Sequence, residues 1–354
     1  MRLYIGTYSE PVLFGTGEVF RGHGEGLYAC DFDGGSLQIR HILKLGNPSF
    51  FALRPEKGKI YAVNEMKEFQ GAYGGGVTEI SLQPDGFMKA EASCPAGGTD
   101  PCHAALSPDG ALLSVANYAD GSVTFFPLDP AGRISGSGTR FQHTGKGPDA
   151  ARQQGPHTHS VLFDGRGHAW AVDLGADTLF GYDIRSGSAV PDDSITLRVA
   201  PGSGPRAGVF SGKGDRLYLM HEIACAVSCW EVPESGILRE LRTVSLLPGE
   251  KADGVTGAAL QLSPDGKYLY ASVRGLNTLS VLALDPDGIP RPVQSVSVCG
   301  KTPRHFAVSP DGGFLLAGNQ DSDSISVFRR MPDGTLQFSR TLPFPTPVCL
   351  RFAP

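Results

Sequence analysis

The chain has 354 residues, and its 31 Lys and Arg against 36 Asp and Glu leave a formal net charge of −5 at pH 7. Both signs are interspersed, so neither a nucleic-acid footprint nor a polybasic membrane patch is expected, and no apolar run approaches the roughly 20 residues of a membrane span. The 47 Gly and 27 Pro fall at turns rather than in tracts, which speaks for many short strands and against disorder.

Strand-like sequence begins at Arg2 with no apolar signal core ahead of it, so a soluble cytoplasmic protein is expected. Residues 2–8 and 26–32 read as strands, and a degenerate repeat starts near Asn47. The pattern is clearest over residues 100–129. There an apolar run (104–106), a Ser107-Pro-Asp-Gly110 turn, a second apolar run (112–116), a polar loop (117–121) and an alternating run (122–128) follow one another. Short runs punctuated in this way are strands joined by tight turns, one antiparallel sheet per copy. Degenerate copies start near Pro156 and Gly204, and clear ones at Thr256 and Thr302, whose turns open at Ser263 and Ser309, 46 residues apart.

Six copies at such a period predict radially arranged sheets. Residues 2–8 and 26–32 lack a preceding inner strand, while residues 347–352 lack followers. Joining the terminal strand to the first sheet closes the ring and leaves no open repeat end. The expected fold is all-β, a seven-bladed β-propeller closed by its C-terminal strand. Length alone suggests about two domains at roughly 150 residues each, but no linker interrupts the repeat, and a single domain over residues 1–354 is expected.

The seven Cys are scattered through different blades. Cys225 and Cys229 lie four apart on one face of an expected strand, but no second pair at zinc spacing accompanies them, and buried reduced thiols are expected.

The turns also locate a functional face. In each blade the Ser-Pro-Asp-Gly hairpin joins the inner strand to the second, so the start of the first and the end of the second lie at the opposite rim. The starts are Asn47-Pro-Ser49, Cys102-His103, His157-Thr-His159, Pro205-Arg206, Thr256 and Arg304-His305; the ends are Asn64-Glu65, Asn117-Tyr118, Asp173, His221-Glu222, Arg274 and Asn319-Gln320. A titratable rim above apolar strand middles is a site candidate. Asn64, Asn117 and Asn319 enter turns, where Asn commonly satisfies backbone groups, and His103 and His305 can equally pack between blades. Arg206, Glu222 and Arg274 are harder to assign to structure alone, because charges aimed into a channel lose solvation unless they pair or bind. His157 and His159 share a strand parity, so one of them can serve merely to hold the loop. No HExxH, nucleophile elbow, P-loop or dinucleotide fingerprint is present, and no metal-ligand spacing stands out.

At these residues the sequence resembles the 6-phosphogluconolactonase-type seven-bladed propeller lactonases, a family that includes the fungal carboxymuconate lactonizing enzymes. The likeness covers essentially the whole chain. It rests on Ile5-Gly-Thr-Tyr8, Tyr61-Ala-Val-Asn-Glu65, Pro101-Cys-His103, Arg152-Gln-Gln-Gly-Pro-His-Thr-His-Ser160, Gly204-Pro-Arg206, Thr302-Pro-Arg-His-Phe306 and Gly318-Asn-Gln-Asp-Ser322. The site residues of the muconate branch fall by motif on His159, Arg206, Glu222 and Arg274. Three features depart from the family: Ala207 where His often follows the arginine, a Ser211-Gly-Lys-Gly214 hairpin in the fifth blade, and a long segment, residues 11–23, in the first. If that segment overhangs the rim, it reshapes the pocket.

The resemblance implies a lactonase acting on a sugar lactone, with 6-phosphogluconolactone as the family substrate, and no metal or cofactor is expected. Hydrolysis needs a base, positive charge at the oxyanion and a proton for the leaving alkoxide. His159 is assigned as base or proton shuttle, Glu222 as its partner or the alternate base, Arg206 to the oxyanion and Arg274 to the substrate's anionic group. Candidate substrate-binding residues are His157, His103, Glu65, Asn64, Arg304, His305 and Asn319. The expected partner is a small-molecule lactone, not nucleic acid or membrane. Two alternatives stay open: a cycloisomerase closing a lactone from a carboxymuconate-type dicarboxylate, and a non-catalytic propeller binding a partner on its rim.

Overall fold

The computed structural model describes the chain except residues 14–16, 84–85, 186, 251 and 354. Among the described residues six four-stranded sheets and one five-stranded sheet form, all antiparallel, together with two short hairpins. The third sheet is typical: Pro101–Leu106, Leu112–Asn117, Ser122–Pro127 and Thr139–Gln142 pair in chain order from the channel outward. The repeated Ser-Pro-Asp-Gly turn has a physical cause. Ser107 Oγ donates to Asp109 Oδ1 (2.6 Å) and accepts the Leu112 amide (2.9 Å), while Gly110 takes φ +67°, a left-handed conformation that a side chain disfavours. Ser263 with Asp265 and Ser309 with Asp311 repeat it at 2.5 Å each. In the fifth sheet, which lacks the Pro-Asp pair, Ser211 Oγ reaches Asp215 instead, at 2.7 Å.

The ring closes as expected. Pro347–Phe352 pairs antiparallel with Arg2–Thr7, placing Ile5 opposite Leu350 and Leu3 opposite Phe352, and so supplies the inner strand of the first sheet. Seven clusters of buried apolar side chains each lie between two neighbouring sheets, and the circuit is complete: one cluster joins Leu3 and Ile5 to Leu316 and Ile325 of the last sheet, another joins Tyr4 and Cys349 to Phe51 and Ile60 of the second. At about 1.5–3 kcal/mol per large apolar side chain removed from water, these interfaces hold the blades together. Five of the seven cysteines are buried; Cys94 is half-buried and Cys299 exposed, contrary to the expectation of burial throughout.

One irregularity recurs. The ladder between inner and second strand slips between Pro101 and His103, Thr158 and Ser160, Pro205 and Ala207, and Pro303 and His305, and between the partners of Gly6 and Thr7 in the first sheet. Each slip is a β-bulge that leaves one inner-strand residue unpaired and re-aims its side chain. The unpaired residues are Cys102, His159, Arg206, Arg304 and Val348.

Candidate active site

Four of those bulged residues, Cys102, His159, Arg206 and Arg304, stand between two cavities and line both. One is a rim cavity of about 390 Å³; the other is a channel cavity of about 560 Å³. The rim cavity also holds Glu222, Arg152, Arg274, Glu65, Tyr118 and His157.

Glu222 is its electrostatic centre. It follows the second strand Arg216–His221 of the fifth sheet and is 2% exposed. Arg152 Nη2 donates to its Oε1 at 2.6 Å, Arg274 Nη2 lies 3.0 Å from the same oxygen, and Arg206 Nε lies 2.7 Å from Oε2. Burial opposes its charge, but Arg274, Arg152 and Arg206 together outweigh burial and hold the carboxyl well below the usual range. It is therefore a permanent carboxylate that fixes three guanidiniums, and too weak a base to accept a proton from water. Burial conversely pushes Arg206 down to about 10, partly offset by Glu222, so it stays charged at neutral pH; its Nη1 donates to the Ala258 carbonyl at 2.7 Å.

His159 is the contrasting group. Burial first, then the positive charge of Arg206, hold its imidazole well below the usual histidine value, so it is neutral at pH 7 with a free lone pair. Among the described residues no hydrogen bond reaches its ring, which meets Tyr118 edge-on at 5.6 Å. His157 is held differently: its Nδ1 donates to the Tyr118 carbonyl at 3.0 Å, its ring stacks on Tyr118 at 4.8 Å, and its amide donates to Asp173 Oδ1. Both line the rim cavity, but His157 is tied into its wall.

A second pair faces them. Arg304 lies over the Tyr8 ring at 5.2 Å and 3.7 Å from Glu65 Oε1, which also accepts from Tyr8 at 2.9 Å. Burial raises the Glu65 carboxyl, and Arg304 only partly opposes it. The Cys102 thiol, raised first by burial and then by Glu65, stays protonated and is no nucleophile.

Several expected binding residues lie elsewhere. Asn64 spends its amide on the Gly46 carbonyl (2.8 Å) and Thr78 (2.8 Å), and Asn319 on Ser324 (3.2 Å) and Ser326 (2.8 Å), so both are buried inside their blades and line neither cavity. In each of these blades the strand's last residue turns its side chain into the blade, and its successor, Glu65 or Gln320, lines the rim cavity. His103 and His305 line the channel cavity, not the rim. Glu222 is no partner of the His159 ring, because arginines occupy it. Tyr118 and Gln320, expected at the rim but given no role there, line it together with Arg152, Lys67 and Asp100, which the expected rim lacked. Arg152 was visible in the Arg152-Gln-Gln-Gly motif, yet nothing in its spacing shows that the loop folds back onto Glu222. From the 11–23 segment, Val12, Leu13 and Glu18 line the rim cavity; residues 14–16 lie outside the described residues. Among the described residues no group of three or more His, Cys, Asp or Glu is set to hold a metal ion.

A family model described as a seven-bladed β-propeller lactonase matches residues 2–352. The chain is 30% identical over 313 residues to the 6-phosphogluconolactonase of Bacillus subtilis, covering 86% of this chain and 83% of that protein. It is 31% identical over 296 residues to the 6-phosphogluconolactonase of Formosa agariphila, covering 80% and 82%. The solved structure of the periplasmic gluconolactonase of Pseudomonas aeruginosa superposes with a TM-score of 0.89 at 32% identity, covering 100% of this chain and 99% of that one.

Proposed function

The chain belongs to the seven-bladed β-propeller lactonase family, and on that premise we propose that it hydrolyses a sugar lactone, 6-phosphogluconolactone or a related aldonolactone, in the rim cavity. The observation that carries this reading is the division of labour between His159 and Glu222. Of two titratable groups beside Arg206, the half-buried imidazole is kept neutral and the buried carboxylate is kept charged.

Neutral His159 takes a proton from water as the water oxygen bonds to the lactone carbonyl carbon. The carbonyl oxygen becomes an oxyanion, and Arg206, beside His159 on the next blade, supplies positive charge there. Collapse of the tetrahedral intermediate breaks the bond from carbon to the ring oxygen, and the departing alkoxide recovers the proton from the His159 imidazolium. The product is the open-chain acid. Arg274 and Arg152, held by Glu222, would bind the substrate's anionic group, which suits a guanidinium fork. Glu65 and Arg304 would contact the sugar on the opposite wall.

The test is a substrate screen by acid release, with phosphorylated and plain aldonolactones and a carboxymuconate-type dicarboxylate. Saturable acid release from an aldonolactone is expected. Lactone formation from the dicarboxylate alone would replace hydrolysis by cycloisomerisation, and no turnover of any substrate would leave a binding propeller.

A further inference from the structure

We propose that the channel cavity beneath the rim is a second binding site, for an oxyanion of the phosphate class. The site is defined without reference to the lactonase reading. The two cavities contrast in charge. The rim cavity balances its basic side chains with Glu18, Glu65, Asp100, Glu222 and Asp321, whereas among the described residues no Asp or Glu lines the channel cavity, although the chain as a whole is acidic. Of the three arginines in the channel, Arg206 and Arg304 have carboxylate partners in Glu222 and Glu65.

Arg351 has none. Among the described residues no ion pair reaches it, its Nε is buried without a hydrogen-bond partner, and its guanidinium lies over the Phe50 ring at 4.9 Å. The residue as a whole is half-buried, and a cation partly withdrawn from water without a counter-charge is stabilised by an anion that binds it. Two neutral donors stand at the same ring. His103 stacks on Phe50 with centroids 4.3 Å apart, and His305 meets it edge-on at 5.7 Å. His103 Nδ1 accepts the Val161 amide at 3.4 Å and His305 Nδ1 accepts the Leu350 amide at 3.2 Å. A nitrogen that accepts carries no proton, so each neutral ring holds its proton on Nε2. Burial, reinforced by Arg351, keeps both rings neutral, His103 at about 3 and His305 well below the usual value. Neither Nε2–H has a protein acceptor among the described residues.

One guanidinium and two N–H donors around a single ring, with no acid nearby, match an anion with several acceptor oxygens better than a neutral sugar or a cation. Phosphoryl oxygens can come from two sources. One is free inorganic phosphate. The other, which rests on the lactonase reading, is the phosphoryl end of a phosphorylated sugar acid lodged in the channel itself, apart from the anionic group that Arg274 and Arg152 would hold at the rim.

The test is calorimetric titration of inorganic phosphate into the full chain in phosphate-free buffer, repeated with Arg351→Gln and His305→Asn. The asparagine keeps an acceptor for the Leu350 amide and removes the Nε2–H donor, and thermal melting checks that each variant is folded. Saturable binding by the wild type, weakened about tenfold or more in both folded variants, is expected. Displacement of phosphate by 6-phosphogluconate but not by gluconate would assign the site to a sugar-borne phosphoryl group; displacement by neither would assign it to free phosphate. No phosphate binding by the wild type, unchanged affinity in both variants, or equal displacement by gluconate would overturn the proposal. None of these readouts uses turnover, so the lactonase reading can fail without touching this one.

Discussion

His159 occupies in the fourth blade the position that Arg206 occupies in the fifth: each is the unpaired residue of a β-bulge at the start of an inner strand. The bulge frees the residue from the ladder and turns its side chain toward the space shared by both cavities. Adjacent blades thereby present a neutral imidazole and a buried cation side by side, the two groups that the proposed hydrolysis would use.

Replacing His159 by Ala is expected to lower kcat by about 10²- to 10⁴-fold with a modest change in KM, because a base acts on the chemical step. The base works when neutral, and its value is depressed by burial and Arg206. The acid limb of the pH–rate profile should therefore lie below the usual histidine value of about 6.5. His157→Ala should mainly loosen the loop at Tyr118. A profile in which His157→Ala, not His159→Ala, abolishes kcat would transfer the role.

Glu222→Gln should cost about 3–5 kcal/mol of stability, since three guanidiniums lose the charge that holds them. The sign with pH follows from a depressed folded value: the contribution is fully present above the unfolded carboxyl value of about 4.3 and is lost as pH falls through the folded one. Denaturation of wild type and variant should differ most at neutral pH and converge in strong acid. Equal stability at pH 7 would remove Glu222 from this role.

Much of this was legible in the sequence, and what was not has physical causes. Turn chemistry at Ser107, Ser263 and Ser309 fixes strand boundaries and hence the rim, and the unpaired ends at Arg2 and Pro347 require the ring to close. Strict strand alternation, however, cannot anticipate a bulge, so parity could not separate His157 from His159 or send His103 and His305 downward. A signal was present: Pro101, Pro205, Pro303 and Pro347 each start an inner strand, without an N–H for the ladder, directly before the bulged residue. Nor does composition show that a strand's last Asn spends its side chain inside the blade while the next residue lines the cavity, as Asn64 and Glu65 do.

Deleting the chain from Pro345 onward removes the inner strand of the first sheet and leaves Arg2–Thr7 as an unpaired edge beside the channel. It also strips Cys349 and Leu350 from two interblade clusters. The truncated protein should aggregate or lose its cooperative melting transition by circular dichroism. Unchanged melting would show that the closing strand is dispensable.

Activity should survive exhaustive chelation, because the charge the reaction needs at the rim is available from Lys67, Arg152, Arg206, Arg274 and Arg304. The competing idea is a calcium-dependent propeller with rim carboxylates and amides as ligands. Dialysis against chelator followed by assay separates them. Loss of turnover restored by a divalent ion would favour calcium.

Arg206 and Arg274 share Glu222 but should fail differently. Arg206 neighbours His159 on the adjacent inner strand, its backbone-anchored Nη1 fixes its direction, and it lines both cavities. Arg274 ends a second strand, lines only the rim cavity of the two, and reaches the backbone weakly, at 3.5 Å from the Gly257 carbonyl. Charge placed on a developing oxyanion counts in the transition state alone, so Arg206→Ala should lower kcat by about 10²- to 10³-fold for phosphorylated and plain lactones alike. Charge that binds a substrate anion counts equally before and during reaction. Arg274→Ala should therefore raise KM for an anionic lactone, with kcat nearly preserved, and matter little for a neutral one. Steady-state kinetics on a phosphorylated and a plain lactone resolve the two patterns. If Arg274→Ala instead depresses kcat on both substrates while Arg206→Ala shifts KM, the two arginines exchange roles.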